Sequence, residues 1–310
     1  FMFSIIFPGQ GSQIIGMAKE FFDNFKYVKD YFFLADEILD KKISKIILEG
    51  PKEVLDQTEN TQPAIFLASY SIFKVIEKET EFNLKKAKFY AGHSLGEYSA
   101  LCCAQAINFE QTVKLLKHRG KAMQDALPGG EGGMLAILGL EIEKINEILN
   151  KNYDNFQSYI ANDNSVGQVV ISGENTSLTL LSEELKKKNI KFVKLQVSAP
   201  FHCPLMKNAT ESMRNKILET NFKVPIINVI SNVTANPESN TDDIKKLLIE
   251  QIEKPVRWRE SISYMLDYGV NKFIEVGPGK VLSGLVKRID RNANLNQVNN
   301  LEDLKKLSND

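Results

Sequence analysis

The sequence predicts an α/β protein in which a mostly parallel sheet is covered by helices and a small ferredoxin-like α+β domain is inserted between its halves. Three observations point there. Short apolar strands alternate with helical patterns at both ends of the chain, as in a parallel sheet layered by helices. Midway the order becomes β-α-β-β-α-β, the ferredoxin-like pattern. Between the first strands and the insertion, a glycine-bracketed serine sits where a strand turns into a helix.

Taken in order, "FSIIF" (3–7) is a buried strand that ends at Pro8 and a glycine-rich loop. Helical patterns follow over about 17–40 and 62–78. Phe89, Tyr90 and Ala91 then form a strand that runs into "GHSLGE", and Glu97, Ala100, Leu101 and Ala104 read as the next helix. Phe109, Val113, Leu116, Met123 and Leu127 recur at three- and four-residue steps, an amphipathic helix ended by "LPGGEGG". In the middle of the chain "MLAILGL" is a strand, 141–151 a helix, "SYIAND" and "QVVISG" a strand pair, 175–189 a helix and "KFVKLQV" a strand. The chain resumes its first pattern at "SAPFHCPLM", with a helix, the strand "INVISN", a Lys-rich helix at 241–252, "PVRW", another helix, and the strand "KFIEVGPG" with a closing helix. The expected division is 1–129 and 198–310 for the large α/β domain and 130–197 for the insertion.

Composition narrows the class. The 310 residues exceed the usual single-domain size, and 43% hydrophobic with 25% charged residues is the make-up of a globular protein. Lys plus Arg equals Asp plus Glu at 39 each, so bulk charge points neither to nucleic acid nor to an anionic membrane. No apolar run reaches membrane-spanning length, and "FMFSIIFPGQGSQ" lacks the positive region and apolar length of a signal peptide. Cys102, Cys103 and Cys203 form neither a CxxC pair nor a metal-ligand spacing, which fits a reducing cytoplasm. With three histidines and no HExxH motif, no catalytic metal is expected.

A serine in G-x-S-x-G between strand and helix is the pattern of a nucleophile elbow, a sharp turn that presents the hydroxyl; the rival reading is an ordinary helix cap. A serine hydroxyl needs a base to become a nucleophile. His93 adjoins Ser94, and neighbours at such a turn point apart. His118 lies nine residues after Phe109, on the face opposite the apolar stripe, and is expected in solvent. His202 remains, between Pro200 and Pro204, which stiffen its loop. An elbow enzyme also holds its oxyanion with the amide after the nucleophile, here Leu95, and an amide from a loop after an early strand. Gln10, flanked by Gly9 and Gly11, fits the second role; "GQGSQI" completes neither GxGxxG nor GK[ST]. Arg119 falls at the edge of the apolar stripe, roughly 80° from Phe109. It either snorkels over the core or offers a bidentate fork to a carboxylate.

Together these segments resemble the malonyl-CoA:acyl carrier protein transacylases of fatty acid synthesis. The matches are "FPGQGSQ" (7–13), "AGHSLGEYSA" (91–100), "RGKAMQ" (119–124), "SAPFHCPLM" (198–206), "QIEKPVRW" (251–258) and "EVGPGKVLSGL" (275–285), in the family's order and across nearly the whole chain. The resemblance implies a hydrolase-like core with a ferredoxin-like insertion, Ser94 as the acylated nucleophile and His202 as its base. It implies Gln10 and Leu95 as the oxyanion hole, Arg119 as the binder of the malonyl carboxylate, and a carbonyl at Gln251, rather than an Asp, to orient the histidine. Cys203 stands where the family commonly has serine, a change expected to be harmless. The implied substrates are malonyl-CoA and acyl carrier protein, with no cofactor, because CoA enters as a substrate. The implied protein is a cytoplasmic monomer that binds neither nucleic acid nor membrane.

Three rivals keep the same residues: a thioesterase or esterase with water as acceptor, an acyltransferase module of a polyketide line, and a non-catalytic docking module for a carrier protein. Arg119 and the insertion favour transfer over hydrolysis. The chain's ending soon after the closing helix favours a free-standing enzyme.

Overall fold

In the computed structural model, which describes residues 1–308, ten strands form two sheets. They are β1 (Phe3–Phe7), β2 (Tyr90–Gly92), β3 (Gly132–Leu138), β4 (Ser158–Ser165), β5 (Gln168–Glu174), β6 (Lys191–Lys194), β7 (Val229–Ile230), β8 (Pro237–Glu238), β9 (Lys272–Val276) and β10 (Asn294–Val298). The larger sheet has the order β10-β9-β1-β2-β7-β8, parallel except for the last pair. Its central strands β9, β1 and β2 are buried on both faces, which is why "FSIIF" is nearly continuously apolar instead of alternating. Side chains still alternate in direction: Phe3, Ile5 and Phe7 join the core that includes the helix Thr58–Glu79, whereas Ile6 packs on the opposite face with Trp258 and Phe273.

The second sheet, β4-β5-β3-β6, is antiparallel throughout. With the helices Ile142–Lys151 and Asn175–Lys187 it has the ferredoxin-like connectivity that the β-α-β-β-α-β order predicts, and those helices bury Ile145, Leu149, Leu181 and Leu185 in a core of their own. A seam of main-chain hydrogen bonds at Val256 joins this sheet to the rest of the chain. The Val256 amide donates to the Ala161 carbonyl (2.8 Å) and the Asp163 amide to the Val256 carbonyl (3.0 Å). Alongside, Arg259 forks onto the buried Asp163 carboxylate, Nε to Oδ1 at 3.0 Å and Nη2 to Oδ2 at 2.8 Å.

Several elements differ from the sequence-based reading. "INVISN" supplies a strand of two residues, because at Ser231 and Asn232 the main chain leaves the ladder; the Asn232 amide donates to Glu97 Oε1 instead. "KFVKLQV" is extended strand only to Lys194, after which Leu195, Gln196 and Val197 line a cavity. Helices at Ile43–Glu49 and Lys52–Leu55 were not anticipated, nor was the end of the chain. After the closing helix Val281–Ile289 come β10 and a helix at Leu301–Ser308. The half-polar "NLNQV" is an edge strand, covered on fewer sides than its neighbours, so it carries a weak strand signal.

Candidate active site

The parallel strands β1 and β2 end side by side, and the turn after β2 carries Ser94 in the left-handed region at φ 55°. That backbone costs on the order of 1–3 kcal/mol for a non-glycine residue. The bracketing glycines let the chain fold back this tightly: a Cβ at Gly92 would lie 1.8 Å from the Gly96 carbonyl oxygen, and one at Gly96 2.4 Å from that of Phe7. The helix Gly96–Cys103 starts immediately afterwards.

Ser94 Oγ lies 2.7 Å from His202 Nε2, and His202 Nδ1 lies 2.8 Å from the main-chain oxygen of Gln251. A carbonyl only accepts, so Nδ1 carries the proton, Nε2 is bare, and the serine hydroxyl donates to it. The loop between the two prolines brings His202 to 3% exposure, and burial, aided by the nearby Arg119 charge, lowers its pKa to about 3. The imidazole is therefore neutral and able to accept a proton throughout the physiological range. Gln251 orients it through the main chain.

Arg119 is fully buried. The helix Phe109–Asp125, capped by Asn108 accepting from the Gln111 amide, turns Arg119 inward and leaves His118 exposed, as the periodicity predicts. The head group is buried with the rest of the side chain and does not snorkel to the surface, although the Ser94 hydroxyl it meets lines the cavity. Nη1 donates to Gln62 Oε1 (2.8 Å), and Nη2 to Gln251 Oε1 (2.7 Å) and Ser94 Oγ (3.2 Å). The guanidinium lies over the Tyr98 ring at 5.5 Å, and its Nε has no partner. The cation is thus buried next to the serine and met by two amide oxygens and a hydroxyl, with no carboxylate in direct contact among the described residues.

The main-chain amides of Gln10 and Leu95 donate to no acceptor among the described residues. Gln10 lines a cavity of ≈ 440 Å³ together with Ser94, His202 and Gln62. His93 points away from Ser94, its Nε2 2.7 Å from Asn164 Oδ1. Cys203 is buried against the Pro200 carbonyl (3.2 Å), and burial pushes its thiol up to about 12, so it is inert as a nucleophile.

Comparison with known proteins shows the family. A family profile described as "Acyl transferase domain" fits residues 4–306. The malonyl CoA-acyl carrier protein transacylase of Bacillus subtilis (strain 168) is 44% identical over 290 residues, 93% of this chain and 90% of the relative. That of Escherichia coli (strain K12) is 39% identical over 288 residues, 93% and 92% of the two. Among solved structures, an acyl-carrier-protein-S-malonyltransferase from Bartonella henselae superposes with TM-score 0.95 at 42% identity, covering 99% of this chain and 98% of its own. A malonyl-transacylase in complex with a type II PKS acyl-carrier protein superposes with TM-score 0.95 at 36% identity over the whole of both chains. The chain belongs to the malonyl CoA-acyl carrier protein transacylase family.

This transacylase-family acyltransferase contains a second layer that the sequence reading missed. Glu97, Asn232 and Gln62 are all buried within it. Glu97 accepts from the Asn232 amide (2.7 Å) and from Gln251 Nε2 (3.4 Å), and burial pushes its carboxyl up to about 7. One signal was in the sequence: a carboxylate three residues past the serine on a helix that is otherwise mostly apolar. Gln62, inside the apolar run "TQPAIFLA", gave none. Among the described residues no three His, Cys, Asp or Glu side chains group as a metal site, and no helix is long and apolar enough to cross a membrane.

Proposed function

We propose that this chain transfers the malonyl group of malonyl-CoA to the phosphopantetheine thiol of an acyl carrier protein through a Ser94 acyl-enzyme. The observation that carries the reading is the neutral, oriented His202 at 2.7 Å from Ser94 Oγ, with a buried arginine 3.2 Å from the same oxygen. His202 Nε2 takes the Ser94 proton as Oγ attacks the thioester carbon, and the oxyanion forms against the Gln10 and Leu95 amides. The C–S bond breaks, and His202 returns the proton to the departing CoA thiol. The carrier thiol then gives its proton to His202, attacks the seryl ester and leaves with the malonyl group, and Ser94 regains its proton. Arg119 holds the free carboxylate, whose carbon is three bonds from Oγ in the acyl-enzyme.

The names of the relatives support malonyl-CoA and acyl carrier protein as the substrates. The same reading makes the protein a cytoplasmic monomer with no cofactor and no nucleic-acid or membrane partner, built as a large domain (1–129 and 198–310) around a small one (130–197). Incubation with malonyl-CoA and intact mass spectrometry tests it. A malonyl adduct is expected on Ser94 that is stable until holo-carrier protein is added and then moves to it. An adduct lost to water at the same rate without the carrier would make the enzyme a thioesterase.

The lowered His202 pKa sets the pH behaviour. Because the imidazole stays neutral well below its ordinary value, kcat/KM for acylation is expected to hold as pH falls through 6.5, where an ordinary histidine base would halve it. Should the wild-type profile show an inflection near 7, it belongs to Glu97, whose carboxyl burial raises to about 7, and it is expected to vanish in Glu97→Gln. Its persistence in that variant would return it to His202 and contradict the assignment.

A further inference from the structure

We infer that Asn232 is a positioning residue for the nucleophile, holding the Ser94 turn in place of the sheet hydrogen bonds that the elbow gives up. The turn needs such support: Ser94 sits at φ 55°, outside the conformation in which a strand could pair it. β2 ends at Gly92 and β7 at Ile230, so the ladder between them stops short of the elbow. Asn232, 1% exposed, takes over from there. Its Nδ2 donates to the Gly92 carbonyl (2.7 Å), and its Oδ1 accepts from the Ser94 amide (2.8 Å). One side-chain amide thus spans both ends of the turn, a donor and an acceptor in the order that only Asn or Gln supplies.

The clamp is itself anchored. The Asn232 main-chain amide is held by Glu97 Oε1 at 2.7 Å, and Glu97 lies on the helix that the elbow launches. Gln251 Nε2 donates both to Asn232 Oδ1 and to the Ser94 carbonyl, each at 3.1 Å. Both main-chain polar groups of Ser94 are therefore fixed by side chains, and the direction of Oγ toward His202 Nε2 depends on them. Asn232 itself does not touch His202 or line the cavity, so its effect passes through the Ser94 backbone. This inference rests on Ser94 being the acylated residue.

The test is Asn232→Ala, with acylation by malonyl-CoA timed by rapid quench and normalised to the sites that become acylated. Malonyl-CoA affinity is measured separately in the Ser94→Ala and Ser94→Ala/Asn232→Ala proteins. The expected result is a fall in acylation rate per site of at least about tenfold, with Kd unchanged within about twofold. Rate per site within twofold of wild type would overturn the inference. So would equal losses of rate and affinity, which would mark Asn232 as fold support alone. Should Asn232→Ala not fold, hydrogen exchange of the wild-type Ser94 amide decides: strong protection is expected, and exchange at the rate of an open loop would overturn it. Mapping the wild-type adduct separates the two ideas, because an adduct elsewhere than Ser94 would defeat the acyl-enzyme reading while leaving the amide-exchange result standing.

Discussion

Ser94→Ala and His202→Ala are each expected to lower malonyl transfer by roughly 10⁴–10⁶-fold, and the double substitution by no more than the worse of the two. The non-additivity follows from the geometry. With the hydroxyl gone, His202 has no proton to take. With the imidazole gone, the hydroxyl keeps its contact with Arg119 Nη2 at 3.2 Å, a donor that cannot accept its proton. Each loss alone disables the same covalent step. Ser94→Ala should still bind malonyl-CoA while acquiring no adduct, and the exposed His118→Ala should transfer at the wild-type rate. A malonyl adduct on Ser94→Ala that passes to carrier protein, or equal losses in His202→Ala and His118→Ala, would defeat the assignment.

Arg119→Ala is expected to cut kcat/KM for malonyl-CoA by on the order of a hundredfold to several thousandfold and to leave acetyl-CoA unchanged or improved. Removing one partner of a buried ion pair costs roughly 3–5 kcal/mol, and each 1.4 kcal/mol is about tenfold. Acetyl-CoA has no carboxylate to strand, so it escapes that cost. Arg119→Lys should fall between, because an ammonium cannot reproduce the fork that now reaches Gln62 and Gln251 together. Arg119→Ala also leaves the Gln62 and Gln251 carbonyls without their donor, a cost to the stability of the free enzyme that precedes the binding of either substrate. The ratio of the two substrates is therefore the informative measurement, and a parallel loss would make Arg119 a structural residue.

What the sequence revealed of this site follows from how local each signal is. Ser94 lies within a turn whose glycines stand two positions to either side of it, and His202 stood out because so few histidines compete with it. Arg119 was placed on the correct face by the period of its own helix, but its depth was not visible, since burial depends on the helix Thr58–Glu79 packed against it. Gln251 was expected to supply a carbonyl, and it does; that its side chain also bridges Arg119 and Ser94 depends on contacts between residues 132 and 157 positions apart. Asn232 was hidden for the same reason, its partners lying 138 and 140 positions away. In the fold, buried strands were legible from their apolar runs. The edge strand β10 was not, because half its residues face away from any core.

The seam at Val256 has a consequence for how substrates are chosen. Two main-chain hydrogen bonds and the Arg259–Asp163 fork fasten the small sheet beside the cavity. Widening the cavity along this edge would have to break these bonds together. If the seam sets the width of the cavity, Arg259→Ala, which removes the fork, is expected to accept bulkier thioesters more readily than the wild type, and unchanged selectivity would show that it does not. Under the proposed function the charge of the acyl group is read elsewhere, at Arg119, so the two variants would test size and charge separately.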